Sequence, residues 1–218
     1  MSSAYDRLDD IDGYSGIGDL WWDLESTGIE VIRDSQDRLQ FLVAITDEMR
    51  SWAEQQSRAE VDKYDSREQD NKQSHAIQGK VGEVALAAVL KRYKDEWKVF
   101  ENGFEKGDII VEHLGIDIHI DVKTRVENNA RYSDLLVGCR STGTISDIKS
   151  GAYVQALTDE DFTTVLLTGW ARTGTVRDAP WFQRAQTYPT KIVDHHDLRS
   201  LDFFFDTSSL DFWFKDSE

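Results

Sequence analysis

The residues best placed to do chemistry are Asp121 and Lys123, two positions apart in the run Ile116–Thr124, where apolar and polar residues alternate strictly. A period of two puts Ile116, Ile118, Ile120 and Val122 on one face of a strand. Asp117, His119, Asp121 and Lys123 fall on the other. In an earlier run, Asp108–Glu112, Ile109 and Val111 share one face and Asp108, Ile110 and Glu112 the other, and Leu114-Gly115 between the two runs reads as a two-residue turn. That turn sets Ile109 opposite Ile120, Val111 opposite Ile118 and Asp108 opposite Asp121. A slip of one residue would set apolar side chains against polar ones throughout, so the pattern itself selects the register.

Directly opposed carboxylates, with Cβ atoms about 5 Å apart, repel unless a positive group lies between them. A hard dication such as Mg²⁺ prefers oxygen ligands of this kind and keeps several waters. Lys123 leaves the strand on the same side, where an ammonium can orient a metal-bound water or offset charge developing on a phosphate. Two acids and a lysine on one sheet face suit phosphodiester cleavage. Glu83 is a candidate third acid. Its helical neighbours include Gly79, Leu86 and Ala87, and an ionised carboxylate there needs a partner or a metal. Plainer readings stand beside these. Asp121 and Lys123 also fit a solvated strand face, Asp108 after Gly107 fits a turn, and Glu83 fits an ion pair with Lys80.

These residues need elements to hold them. Leu42, Ile45, Met49 and Trp52 recur at helical spacing and predict a helix over 35–60, as a helical N-terminal extension. A second helix, 72–93, is apolar on every side from Val84 to Leu90 and should be buried. Strands are expected at 97–100, 108–112, 116–124, 135–139, 153–157 and 163–171, with a short helix signal and an aromatic cluster in the tail from Asp197. Residues 1–34, with no clear period, read as an arm expected to be partly disordered. Residues 35–218 read as one α/β domain.

The order helix-Glu83, strand-Asp108, then Asp121-Val122-Lys123 resembles the PD-(D/E)xK nuclease superfamily over residues 72–171. The resemblance implies a restriction-endonuclease-like fold, a mixed central sheet flanked by helices, and a DNA nuclease, in particular an endonuclease, dependent on Mg²⁺ or Mn²⁺. It implies metal binding by Asp108, Asp121 and the Val122 carbonyl, metal or water contact by Glu83, and assistance to the attacking water by Lys123. Gly107 departs from the nominal motif, which has Pro there. The region near the cleft in that fold would offer Arg125, Asn129, Arg131 and Arg140 to DNA, with Lys72 and Lys80 on the helix side. Restriction-like members often dimerise, so a homodimer is a further expectation. The pair His195-His196 is read as structural or surface, because adjacent histidines rarely chelate one ion without further ligands. Cys139, in an apolar strand, is read as inert core.

Composition bounds these readings. The 218 residues carry 25 Lys+Arg against 41 Asp+Glu, a formal charge of −16 that argues against a phosphate partner. The excess is uneven: residues 71–149 hold 12 basic and 12 acidic groups, whereas residues 1–70 hold 7 and 18. Asp outnumbers Glu 27 to 14 and Lys is only 11, a surface similar to that of proteins from salt-loving organisms. One cysteine excludes an internal disulfide framework. No apolar run approaches the roughly 20 residues needed to cross a bilayer. The acidic start lacks signal-peptide order. A cytoplasmic chain is therefore expected (in a host cytoplasm if it is viral), without a membrane partner. The competing expectation is a nuclease-fold module that binds DNA or a protein without cutting.

Overall fold

The structure is a computed structural model, and it describes residues 27–61, 69–93, 98–99, 109–113, 116–127, 134–138, 150–182 and 189–204. In chain order the elements are β1 (Ile29–Arg33), β2 (Leu39–Ala44), α1 (Asp47–Val61), α2 (Gln69–Tyr93), β3 (Lys98–Val99), β4 (Ile109–His113) and β5 (Ile116–Val126). They continue with β6 (Leu135–Gly138), β7 (Ala152–Thr158), β8 (Thr164–Arg172), α3 (Thr173–Asp178), β9 (Trp181–Phe182) and β10 (Thr190–Val193). Two 3₁₀ turns, His195–Asp197 and Leu201–Phe204, close the described chain.

Seven strands form a mixed sheet in the order β1-β2-β8-β7-β5-β4-β3. Only the β5–β7 pair is parallel; the rest are antiparallel. Both faces are covered, and for this reason β7, Ala-Tyr-Val-Gln-Ala-Leu-Thr, is buried at every position. Ile120, Val122, Ala152, Val154 and Trp170 join the core beneath α2, whose residues Val81 to Leu90 are all buried. Tyr153 and Ala171 join a second cluster with Leu135, Val137, Val176 and Val193, contributed by the small sheet β6-β10-β9 and by α3. No helix among the described residues is long and apolar enough to cross a membrane.

The helix expected over 35–60 and the end of the arm expected over 1–34 need correction; residues 1–26 of that arm lie outside the described residues. Residues 29–44 are a β-hairpin, and α1 begins only at Asp47. Asp34 closes the hairpin turn by accepting hydrogen bonds from the Gln36 and Arg38 amides at 2.8 and 3.0 Å. Asp37 takes the positive φ of 60° that this turn requires. The stripe Leu42, Ile45, Met49, Trp52 therefore straddles two elements. Phe41 and Val43 bury from β2, while Met49, Trp52 and Ala53 bury from α1. Thr46 separates them by capping α1, its hydroxyl accepting from the Met49 amide at 3.2 Å.

The second helix starts at Gln69 rather than Lys72, and the predicted strands fall within one or two residues of those observed. The calls at Phe100, Asp108 and Cys139, the turn Leu114-Gly115 and the tail beyond residue 204 lie outside the described residues. α3, β9 and β10 were not anticipated.

Candidate active site

The β4–β5 hairpin has the register the alternation demands: Ile109 faces Ile120, Ile110 faces His119 and Val111 faces Ile118. On its other side β5 pairs in parallel with β7, setting Asp121 beside Tyr153 and Lys123 beside Gln155. Thr124 meets α2, because a Cβ at Gly82 would overlap the Thr124 hydroxyl. Gln78 adds a hydrogen bond from its side-chain amide to the Thr124 carbonyl. Asp121 and Lys123 alternate with Thr124 and so leave the strand on the side away from α2.

There the two side chains meet. Lys123 Nζ lies 2.6 Å from Asp121 Oδ1, with 32% and 22% of the side chains exposed, so the pair is reached by water without being loose on the surface. His119 is half-buried on the same face of β5. The Tyr153 phenol next to Asp121 is pushed above its ordinary value of 10.0, first by burial and then by the Asp121 charge. Its oxygen accepts a hydrogen bond from the Ser150 amide at 3.2 Å, which fixes the ring. Gln155 is fully buried, and its Oε1 accepts from the Thr168 hydroxyl at 2.6 Å. Gln155 had not been singled out; the available signal was one amide in a strand otherwise built for burial.

Glu83 sits on α2 and is held by Lys80, whose Nζ lies 3.0 and 2.8 Å from the two carboxylate oxygens. Lys80 is 9% and Glu83 6% exposed, so this is a buried ion pair rather than a helix-surface one. Lys80 thus does not present its charge to solvent as a DNA-backbone contact would need. Arg125 is half-buried, and its guanidinium donates to the Asp134 carbonyl at 2.9 Å. Lys72 lies within α2, but its side chain is outside the description. Asp108, Asn129, Arg131 and Arg140 lie outside the described residues.

Of the four expected catalytic residues the structure joins Asp121 to Lys123 directly, and Glu83 to Lys80. Among the described residues the Asp121 carboxylate is the acid at the strand pair, a hard oxygen donor of the kind that suits Mg²⁺ or Mn²⁺. Glu83 fits less well as a ligand, because its carboxylate already neutralises a buried lysine. Comparisons with protein families, with curated protein sequences and with solved structures gave no match.

Proposed function

We propose that this chain is a divalent-metal-dependent DNA endonuclease with a restriction-endonuclease-like core, hydrolysing phosphodiester bonds at the β4–β5 hairpin. The observation that carries the reading is the Asp121–Lys123 pair: an acid and an amine in contact, partly open to water, on a strand that sets Ile120 opposite Ile109. The mixed sheet with α2 against one face is compatible with such a core.

In this reading Asp121, Asp108 and the Val122 carbonyl would hold Mg²⁺ or Mn²⁺, while Glu83, paired with Lys80 on α2, stays outside the set. When bound, the ion supplies charge neutralisation at the phosphate and a more acidic water. Lys123 orients the attacking water and hydrogen-bonds a non-bridging phosphate oxygen as negative charge grows there. Asp121 aims the ammonium of Lys123. Buried Tyr153 and Gln155 fix the β7 backbone that braces both.

The test is cleavage of plasmid and linear DNA with Mg²⁺ or Mn²⁺ over a salt series. Nicking or linearisation that EDTA stops, and that Asp121→Asn and Lys123→Ala each remove, supports the enzyme. Undiminished cleavage by both variants rejects it. The charge of −16 favours a second reading, a module that binds without cutting. DNA binding without strand scission under every metal condition would select that one.

A further inference from the structure

A different corner of the molecule brings metal-ligating side chains together. Asp194, His195 and His196 follow β10 directly, Asp194 capping the 3₁₀ turn His195–Asp197, and one donor atom from each lies within 4.8 Å of the others. His195 Nδ1 is 3.3 Å from Asp194 Oδ1 and 3.5 Å from Oδ1 of Asp134, which precedes β6. Around a tetrahedral ion with metal–ligand bonds of about 2.0–2.2 Å, neighbouring donors are separated by roughly 3.3–3.6 Å. These two carboxylate oxygens therefore already stand at ligand-to-ligand distance from the imidazole nitrogen. The second ring stacks beside the first, centroids 3.7 Å apart, and its Nδ1 is 2.9 Å from the Gln36 side-chain amide. With the Gln36 amide turned so that its oxygen accepts from Nδ1–H, His196 would have Nε2 to offer a metal, the usual division of labour in a metal-bound histidine.

The turn is held from three sides. The Arg38 guanidinium donates to the carbonyls of His195 and Leu198, and the His195 amide donates to Asp134 Oδ1 at 3.2 Å. The Asp194 carboxylate accepts from the His196 amide at 2.9 Å. Both imidazoles also border a cleft of about 160 Å³ that reaches Arg38, Gln155 and Thr168, with room for a water or a small polar ligand.

We propose that Asp134, Asp194, His195 and His196 form a binding site for one first-row transition-metal dication, of which Zn²⁺ suits the two-imidazole, two-carboxylate donor set. The site is separate from the Mg²⁺ reading at Asp121, whose hard oxygen donors belong to another class of ion. A bound ion would tie β6, the β1–β2 turn and the segment after β10 into one unit. The sequence pair His195-His196 lacked further ligands; Asp194 and, from the start of the neighbouring strand β6, Asp134 would provide them.

The test uses the full chain in an Asp121→Asn background, so that an ion at the strand pair is not counted. After chelator treatment, the protein is titrated with Co²⁺ by visible absorption and with Zn²⁺ by equilibrium dialysis. The expected result is one ion per chain with a d–d band typical of nitrogen and oxygen donors. His196→Ala, at an exposed position, should weaken binding at least about 10-fold, and Asp134→Asn about 10- to 100-fold. Absence of stoichiometric binding by the parent chain would overturn the proposal. So would an unchanged cobalt spectrum and affinity in the His195→Ala/His196→Ala double variant.

Discussion

Gly82 on α2 and Thr124 on β5 meet so closely that a methyl group at position 82 would overlap the threonine hydroxyl, and would come within 3.0 Å of its Cβ. That hydroxyl is buried and has no hydrogen-bond partner among the described residues. The contact seats the helix carrying Glu83 against the strand carrying Asp121 and Lys123. Gly82→Ala should therefore destabilise, because overpacking costs about 1–3 kcal/mol while Ala returns at most about 1 kcal/mol of helix propensity. Urea unfolding of Gly82→Ala, Thr124→Ala and the double variant tests it. The penalty at position 82 should shrink by more than about 0.5 kcal/mol once Thr124 is truncated. Strict additivity would mean that the helix shifts to accommodate the methyl.

The Lys80–Glu83 pair should behave as a buried unit. Removing one partner strands the other charge, so Lys80→Met or Glu83→Leu alone should cost about 3–5 kcal/mol. The Lys80→Met/Glu83→Leu double variant should be far closer to the parent. If each single change cost under about 1 kcal/mol by urea titration, the pair would be solvated in solution.

Asp121 and Lys123 should show the opposite profile. Their ion pair is partly exposed, so Asp121→Asn or Lys123→Ala should change stability by less than about 1 kcal/mol. The cleavage rate should nevertheless fall at least about 100-fold under the proposed function. Parallel thermal melts and plasmid assays separate the two effects. A variant that loses cleavage only as it unfolds would place the pair in the scaffold.

Stability should decline at both ends of the pH scale. Burial pushes the Asp34 carboxyl up, but hydrogen bonds from Arg38 and Gln36 outweigh it and leave it below its ordinary 3.8. A lowered carboxyl contributes stability above that value and loses it as the pH falls through the folded-state value. Asp159 is likewise held below 3.8: burial opposes the shift, and hydrogen bonds from Thr163 and Thr164 prevail. Tyr153 is raised above 10.0, so its contribution is whole below that pH and disappears as the pH climbs further. Urea midpoints across pH should lose part of their acid slope in Asp34→Asn and part of their alkaline slope in Tyr153→Phe. Unchanged slopes in these variants would assign the transitions to other groups.

What the sequence disclosed followed from pattern length. β5 alternates over nine residues against a partner of five, and only one register keeps Ile109, Val111, Ile118 and Ile120 together; the structure has that register. α2 was legible from its unbroken apolar centre. The β1–β2 hairpin was not, because Leu42, Ile45, Met49 and Trp52 mimic a helical stripe across the Thr46 cap. β9 and β10 contain two and four residues, too few to show a period. At the candidate site, the Asp121–Lys123 pairing was visible as two side chains on one strand face. The burial of Lys80 was not, since a lysine three residues from a glutamate reads equally as helix surface.

β2 borders β8, a strand made some 120 residues later, and Arg38 grips backbone carbonyls at His195 and Leu198. A growing chain thus displays its first hairpin long before the neighbour that completes it exists. Two strands alone are marginal in water, so this edge should stay open until ribosomal synthesis has passed residue 172. The earliest of the described strands to be translated would then be among the last to settle.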